Sequence, residues 1–380
     1  MLNRTAGRKG KKRKRVNRGA VAEIDRSALR YNICSIRERT NHRAIIAVVK
    51  ADAYGHGSVE VARVLAAQGA DYLAVAFVEE ARTLREAGIE TRILVLFDRS
   101  DYPACFDLNL IPVIHDKKDA VAVSNESRKR RKTLPVHIKI DTGMGRMGLR
   151  AESAADDVLE ISTFEGVMVE GLLSHFSEAD LDDKTFALQQ LSLFRRLCAK
   201  ITEQTGLAPV CHMANSAAVF SFPDAMLNAV RPGIALYGYS CDGGEHGLLP
   251  VMKITTRVIA VRILPAGSPV SYARTFVTKR TTRIAVVALG YADGFNRLFS
   301  NNAEMLVRGQ RVPVVGRVCM DLTMLDVTEL EHVAEGDEVV VLGAQRGQAI
   351  MASELSQRIG TIPYEILTSL GNRSKREYVH

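Results

Sequence analysis

The sequence has no membrane-spanning segment. None of its apolar runs approaches the ~20 residues that a bilayer-crossing helix needs. It also lacks paired cysteines. Cys34, Cys105, Cys198, Cys211, Cys241 and Cys319 are scattered, with no CxxC pair and no His/Cys spacing suited to a metal. Neither a disulfide scaffold nor a metal centre is expected from such a pattern. Internal repeats are absent, and the basic N-terminus is the only low-complexity stretch. An excess of one charge is missing too, once that N-terminus is set aside. Arg4, Arg8, Lys9, Lys11, Lys12, Arg13, Lys14, Arg15 and Arg18 stand there without an acid; removing these nine from the 51 basic residues leaves 42 against 43 acidic ones. The remainder is near neutral and carries no charge signature of a nucleic-acid-binding domain. GRKGKKRKRVNRG itself reads as a solvated, disordered arm. Weak, non-specific attraction to nucleic acid or anionic membrane is its sharper reading, and a misassigned start codon a third. No apolar segment follows its charges, so it does not read as a secretory signal. Without an export signal the expected compartment is the cytoplasm, with the thiols reduced.

What is present is alternation. Apolar residues make up 47% and charged residues 25% of the 380-residue chain, enough for a sizeable core and for two domains. Asp25 is placed to cap a helix over the residues that follow it. Then come the apolar runs AIIAVV, DYLAVA, RILVLF, LIPVI, LPVHIKI, VMVEGLLS, APVCHM and NAVRPGIAL. Amphipathic stretches such as SVEVARVLAAQG and VEEARTLREAG separate them. Strand candidates alternating with helix candidates in this number fit a (β/α)8 barrel of ~250 residues. A doubly wound open sheet is the competing architecture. CDGGEHGLLP, residues 241–250, breaks the pattern. Beyond it the runs are strand-like and joined by turns, with MASELSQRIG the one clear helix. The expected organisation is a basic arm at 1–20, an α/β barrel at 21–245 and a mostly β domain at 246–380.

In a barrel of parallel strands the functional face lies at the strands' carboxyl ends, and the chemistry-bearing residues fall there. Lys50 ends the first run, and a lysine against apolar walls can have its pKa lowered and act as a nucleophile or base. Lys139 and Asp141 end another run, before a glycine-rich loop around Arg146. His175 ends the next. Asn215 and Ser216 open a helix whose free N–H groups suit a phosphate. Arg231 ends the last run, with Gly233 close behind, in the region where barrels often bind phosphate. Each residue alone has an ordinary reading: an exposed strand end, a surface arginine, a core histidine, a turn. Together, a lysine, a phosphate cradle and two arginines suggest a phosphorylated carbonyl cofactor, with pyridoxal phosphate the leading candidate.

The ordered blocks AVVKADAYGHG, HIKIDTGMGRMG, EGLLSHF, HMANSAA, RPGIALYG, VSYARTF, ALGYADGFNR, GRVCMDLTM and GTIPYEILTSLGNR run from about Ala22 to about Arg373. In these the chain strongly resembles the alanine racemases, fold-type III pyridoxal-phosphate enzymes. The resemblance implies that Lys50 carries the cofactor covalently. It implies that Tyr54, Ser216, Gly233, Ile234 and Tyr364 bind its phosphate, and that Arg231 faces its ring nitrogen. Arg146 is implied near the cofactor's phenolic oxygen and the substrate carboxylate, oriented by Lys139 in carbamylated form. Tyr272 is implied as a second catalytic residue that reaches the other subunit's site, so that the active unit is a homodimer. Tyr291, Cys319, Met320 and Asp321 line the same site from that partner chain, with Met320 near the substrate. Lys50 then serves the proton of D-alanine and Tyr272 that of L-alanine. A phenol, with a reference pKa near ~10, is a poor base at neutral pH unless its anion is stabilised; a chain through Tyr272, His175 and Arg231 is implied to do this. No metal is implied.

Three features depart from the family pattern. Ala273 follows Tyr272 where glycine is usual, the basic arm is not part of the pattern, and the terminal SKREYVH departs from the common ending. Three rival readings remain at this point: a broad-spectrum amino-acid racemase, a non-catalytic pyridoxal-phosphate carrier and a decarboxylase of related fold. The carrier lacks a second domain, and the DTGMGR and SYARTF blocks disfavour the decarboxylase. The expected role of the D-alanine product is to supply cell-wall peptidoglycan; biosynthetic and catabolic roles are not separable from the sequence.

Overall fold

Short apolar runs with polar ends are buried on both faces when they lie side by side in parallel. All of the runs named above do so here. In the computed structural model, which describes residues 19–240, 244, 246–371 and 374–380, they form β1 (Ala44–Val48), β2 (Tyr72–Val75), β3 (Arg92–Val95), β4 (Leu110–Ile114), β5 (Leu134–Asp141), β6 (Val167–Leu173), β7 (Val210–His212) and β8 (Ala229–Val230). Neighbours pair in parallel from β1 to β6. The ring then closes through β7 and β8 back onto β1, where Ala229 pairs with Ala44. This is the closed eight-stranded barrel, and it excludes the open sheet. Ile45, Ile46, Leu73, Ile93, Leu94, Val113, Ile138 and Leu172 are without solvent exposure, and because side chains alternate along a strand they pack both faces of the sheet, the barrel interior and the side that the helices cover. The entry helix Arg26–Arg39 starts where Asp25 Oδ1 accepts from the N–H groups of Ser27 (2.8 Å) and Ala28 (3.0 Å), satisfying donors that a helix start leaves free.

The chain divides into two units. The larger contains the barrel. The smaller, chiefly Thr255–Ile350, is antiparallel β. Met252–Leu264 pairs with Thr282–Val287, which pairs with Thr323–Asp326. Glu304–Val307 forms a hairpin with Gln310–Pro313 and also pairs with Glu338–Gln345. The division falls at Ile254/Thr255, inside a continuous strand, and not at the glycine-rich 241–250 stretch. The helices Ala352–Ile359 and Pro363–Leu370 belong to the barrel unit. The sequence pattern places both within the mostly β domain at 246–380 and marks only the first as a helix. The arm, up to residue 18, and Cys241 lie outside the described residues. Among the described residues no helix is long and apolar enough to cross a membrane.

Candidate active site

Beyond β1 the chain does something rare. Ala51, Asp52, Ala53 and Tyr54 all have φ between 51 and 55°, a left-handed turn that costs L-residues about 1–2 kcal/mol each. Such strain persists only where the surroundings over-determine it. Here Ala51 N–H donates to Glu80 Oε1 (2.6 Å), and Ser58 N–H to Asp52 Oδ1 (2.7 Å). Arg376 pairs with Asp52 (2.6 Å) and donates to Gly55 O (2.9 Å). The turn leaves Lys50 at the barrel mouth and swings Tyr54 inward against the rings of Tyr237 (4.9 Å) and Tyr364 (5.6 Å).

A cavity of about 430 Å³ opens there, entirely within the barrel unit. Lys50, Tyr54, Lys139, Arg146, His175, Ser216, Arg231, Gly233 and Tyr364 all line it. Its wall thus carries four basic side chains and no Asp or Glu, so anions are the ligands it favours. Burial, helped by Arg146, lowers the pKa of Lys50. Burial, with the charges of Arg146 and Arg231, brings Lys139 down to about 8. Phe97, not singled out in the sequence, faces both Lys50 Nζ (5.3 Å) and the Arg146 guanidinium (5.6 Å) with its ring, a cation–π floor. Arg146 is held by its loop: Asp141 accepts from the N–H groups of Gly143, Met144, Gly145 and Arg146 at 2.8–3.2 Å.

At one end, Ser216 Oγ accepts from the N–H groups of Gly233 (2.8 Å) and Ala235 (3.2 Å). A Cβ on Gly233 would lie 2.6 Å from Tyr54 Oη, so only glycine fits that edge of the cradle. Ile234 is buried and its side chain does not line the cavity. At the other end, Arg231 Nη1 donates to His212 O (2.8 Å) and His212 Nδ1 (2.7 Å). Nη2 reaches Ser174 O (2.6 Å), Met213 O (3.1 Å) and His175 Nδ1 (3.3 Å). Among the described residues its Nε–H has no partner, although the side chain lines the cavity.

Tyr272, Tyr291, Cys319, Met320 and Asp321 lie on the smaller unit. Residues 20 to 50 positions apart in sequence meet in one loop cluster. Ser271 Oγ donates to Arg317 O (2.6 Å) and lies 3.5 Å from Cys319 Sγ. Tyr291 N–H donates to Cys319 O and Ala292 N–H to Met320 O, both at 3.0 Å. From this cluster Tyr272, Tyr291 and Met320 project with 68%, 43% and 54% exposure. Among the described residues no group of His, Cys, Asp and Glu is arranged to hold a metal.

Fold and cavity together define a barrel enzyme with a cationic, anion-binding site that centres on a lysine. Comparison with known proteins narrows this. Family models described as alanine racemase, N-terminal domain, and alanine racemase, C-terminal domain, match residues 24–241 and 251–378. An alanine racemase of Thermodesulfovibrio yellowstonii is 46% identical, with 96% of this chain and 99% of that one covered. The crystal structure of the enzyme from Streptomyces lavendulae superposes with a TM-score of 0.91 at 34% identity, covering 97% and 98% of the two chains. That of the Bartonella henselae alanine racemase with covalently bound pyridoxal phosphate gives 0.86 at 31% identity, covering 95% and 99%. The chain belongs to the alanine racemase family, pyridoxal-phosphate-dependent isomerases. The donor set fits that cofactor: an amine for its aldehyde, hydroxyls and a glycine-edged cradle for its phosphate, and an unpartnered Arg231 Nε–H for its ring nitrogen.

Proposed function

We propose that this protein interconverts L- and D-alanine with pyridoxal phosphate by two-base proton transfer, in a homodimer whose sites are shared. The observation that carries the reading is the convergence of Lys50, the Ser216–Gly233 cradle and Arg231 on one cavity. When bound, the cofactor supplies the electron sink that makes the α-proton of alanine removable.

Lys50 Nζ would hold the aldehyde carbon; Ser216, Tyr54 and Tyr364, with the backbone at Gly233 and Ile234, would hold the phosphate. Arg231 Nε would donate to the ring nitrogen. Arginine is a donor only and does not readily give up its proton, so Arg231 limits how strongly electrons are withdrawn. That favours prompt reprotonation over transamination. Arg146 would take the substrate carboxylate. Once the substrate amine has displaced it from the aldehyde carbon, Lys50, its pKa lowered by burial, would accept and return the proton of the D-face.

The L-face belongs to the partner subunit's Tyr272. His175 prepares for it. Since Arg231 can only donate, His175 Nδ1 is the acceptor of that bond and the ring carries its proton on Nε2. That N–H is the group suited to stabilise the phenolate. Burial and the Arg231 charge hold His175 well below the usual histidine range, so the ring stays neutral. The exposure of Tyr272, Tyr291 and Met320 from one loop cluster supports a surface that a second copy covers.

Lys139 would be carbamylated. A neutral amine attacks carbon dioxide and releases one proton, and its lowered pKa raises the neutral fraction at pH 7–8. The resulting carbamate places a negative charge beside Arg146. A carbon-13 carbamate resonance on labelling with bicarbonate, absent from Lys139→Ala, is the expected observation. The D-alanine formed in the cytoplasm would feed peptidoglycan.

The test is incubation of the purified protein with single L-amino acids, without added cofactor, followed by chiral chromatography. Rapid D-alanine formation with much slower turnover of serine and larger amino acids is expected. Comparable turnover of several amino acids would favour the broad-spectrum reading. No turnover even with pyridoxal phosphate added would favour the carrier.

A further inference from the structure

The bonds of Arg231 do not end at His212. His212 Nε2 lies 2.8 Å from His137 Nδ1, and His137 Nε2 lies 3.3 Å from Glu170 Oε1. Glu170 in turn pairs with Arg92 and accepts from Tyr72 Oη (3.1 Å), to which Arg92 also donates (2.9 Å). His137 and His212 are wholly buried in the barrel, on β5 and β7, whereas Arg92, the first residue of β3, has a half-exposed side chain. A polar chain therefore crosses an otherwise apolar barrel, from the cavity toward the amino-terminal strand ends.

Its direction is fixed by chemistry. Arginine has no acceptor, so His212 Nδ1 must accept from Arg231, and the ring's hydrogen sits on Nε2. That hydrogen can only be donated to His137 Nδ1, which puts the hydrogen of His137 on Nε2, pointing at Glu170. An ionised carboxylate has no donor and closes the sequence. Both histidines are kept neutral, chiefly by burial. Burial opposes ionisation of Glu170, but the hydrogen bonds from His137 and Arg92 and the charge of Arg92 overcome it and hold the carboxyl near about 2. The barrel makes room for this. A Cβ on Gly171, the neighbour of Glu170, would lie 2.5 Å from the His137 ring, inside any normal contact.

We propose that Glu170, His137 and His212 are positioning residues for the reaction: a one-way hydrogen-bond relay that supplies Arg231 with a distant counter-charge and aims its remaining N–H at the cofactor ring. Hydrogen bonds in series polarise one another, so the carboxylate makes His212 Nδ1 a stronger acceptor than an isolated imidazole. The role rests on the proposed function. A merely structural role for this cluster would predict lost stability with unchanged catalysis per folded molecule.

The experiment uses the holoenzyme labelled with nitrogen-15 at histidine. In the unsubstituted protein His137 and His212 are expected to be neutral and protonated on Nε2. In Glu170→Met, which removes both acceptor oxygens, the His212 Nε2–H resonance should move upfield and kcat fall ~10-fold, the loss typical of an outer hydrogen-bond partner. KM for alanine should stay within about two-fold, because the groups that bind substrate are untouched. Gly171→Ala, which displaces the His137 ring without removing a titratable group, should act in the same direction. The relay is overturned if either ring is cationic or Nδ1-protonated in the unsubstituted holoenzyme, a reading that needs no variant to fold. It is equally overturned if Glu170→Met leaves the resonance and kcat unchanged. Absence of racemisation by the unsubstituted holoenzyme would instead strike the proposed function.

Discussion

Ala273 sits at φ 58° between Ser271 at 62° and Arg274 at 49°, which explains why the family's glycine suits that position. A left-handed alanine costs about 1–2 kcal/mol, whereas glycine costs roughly 0.4–1 kcal/mol in unfolded-chain entropy. The conformational term is the larger. Ala273→Gly should therefore stabilise the folded chain, by on the order of 0.5 kcal/mol, read as a raised urea midpoint; a lowered one would contradict the assigned backbone. Ser216 is the residue-scale test of the cradle. Its hydroxyl serves two backbone N–H groups, and loss of a charge-assisted bond is worth about 1.5–3 kcal/mol. Ser216→Ala should weaken pyridoxal-phosphate binding ~10- to 100-fold by equilibrium dialysis. An unchanged dissociation constant would remove Ser216 from the site.

At the scale of elements, the barrel was legible because each strand is an apolar run bounded by polar residues, and because Lys50, Lys139, His175 and Arg231 stand at strand ends. The left-handed turn at 51–54 was not. Alanine, aspartate and tyrosine carry no signal for positive φ, and tertiary contacts from Glu80 and Arg376 impose it. Nor was the relay legible. His137 and Glu170 occupy strand positions that sequence alternation assigns to packing, and only closure of the barrel sets His137 against His212. The glycine-rich loop at 241–250 lies where the two family models divide, whereas the compact units divide a few residues later, inside a strand. The turn makes its own prediction. His56 is buried against the ring of Tyr237, and burial lowers its pKa to about 4, the carbonyls of Ala53 and Tyr54 opposing only part of that shift. Between pH ~6.5 and about 4 the unfolded chain binds a proton that the folded chain refuses, so stability is lost as pH falls through that window. His56→Asn should be less stable at pH 7 yet show a shallower loss toward pH 4 in urea unfolding. An equal slope would mean that His56 does not titrate as described.

At the scale of the whole molecule the account requires two chains. If Lys50 of one subunit works with the partner subunit's Tyr272, Lys50→Ala and Tyr272→Phe proteins should each be inactive alone. Dissociated and reassociated together, they should recover roughly a quarter of the unsubstituted activity, since half the dimers are mixed and each mixed dimer has one intact site. No recovery, with exchange of subunits demonstrated by mass, would place both bases in one chain.

The measurement closest to the central claim follows α-hydrogen exchange of each enantiomer in deuterium oxide, by proton NMR, with Tyr272→Phe holoenzyme. A base on each face predicts that D-alanine still exchanges its α-proton through Lys50 and returns as D-alanine, while L-alanine does not exchange and neither enantiomer racemises. Equal exchange of both enantiomers, or racemisation persisting within about ten-fold of the unsubstituted enzyme where loss of a positioned base should cost ~10²–10⁴, would contradict the assignment of the two faces to Lys50 and Tyr272.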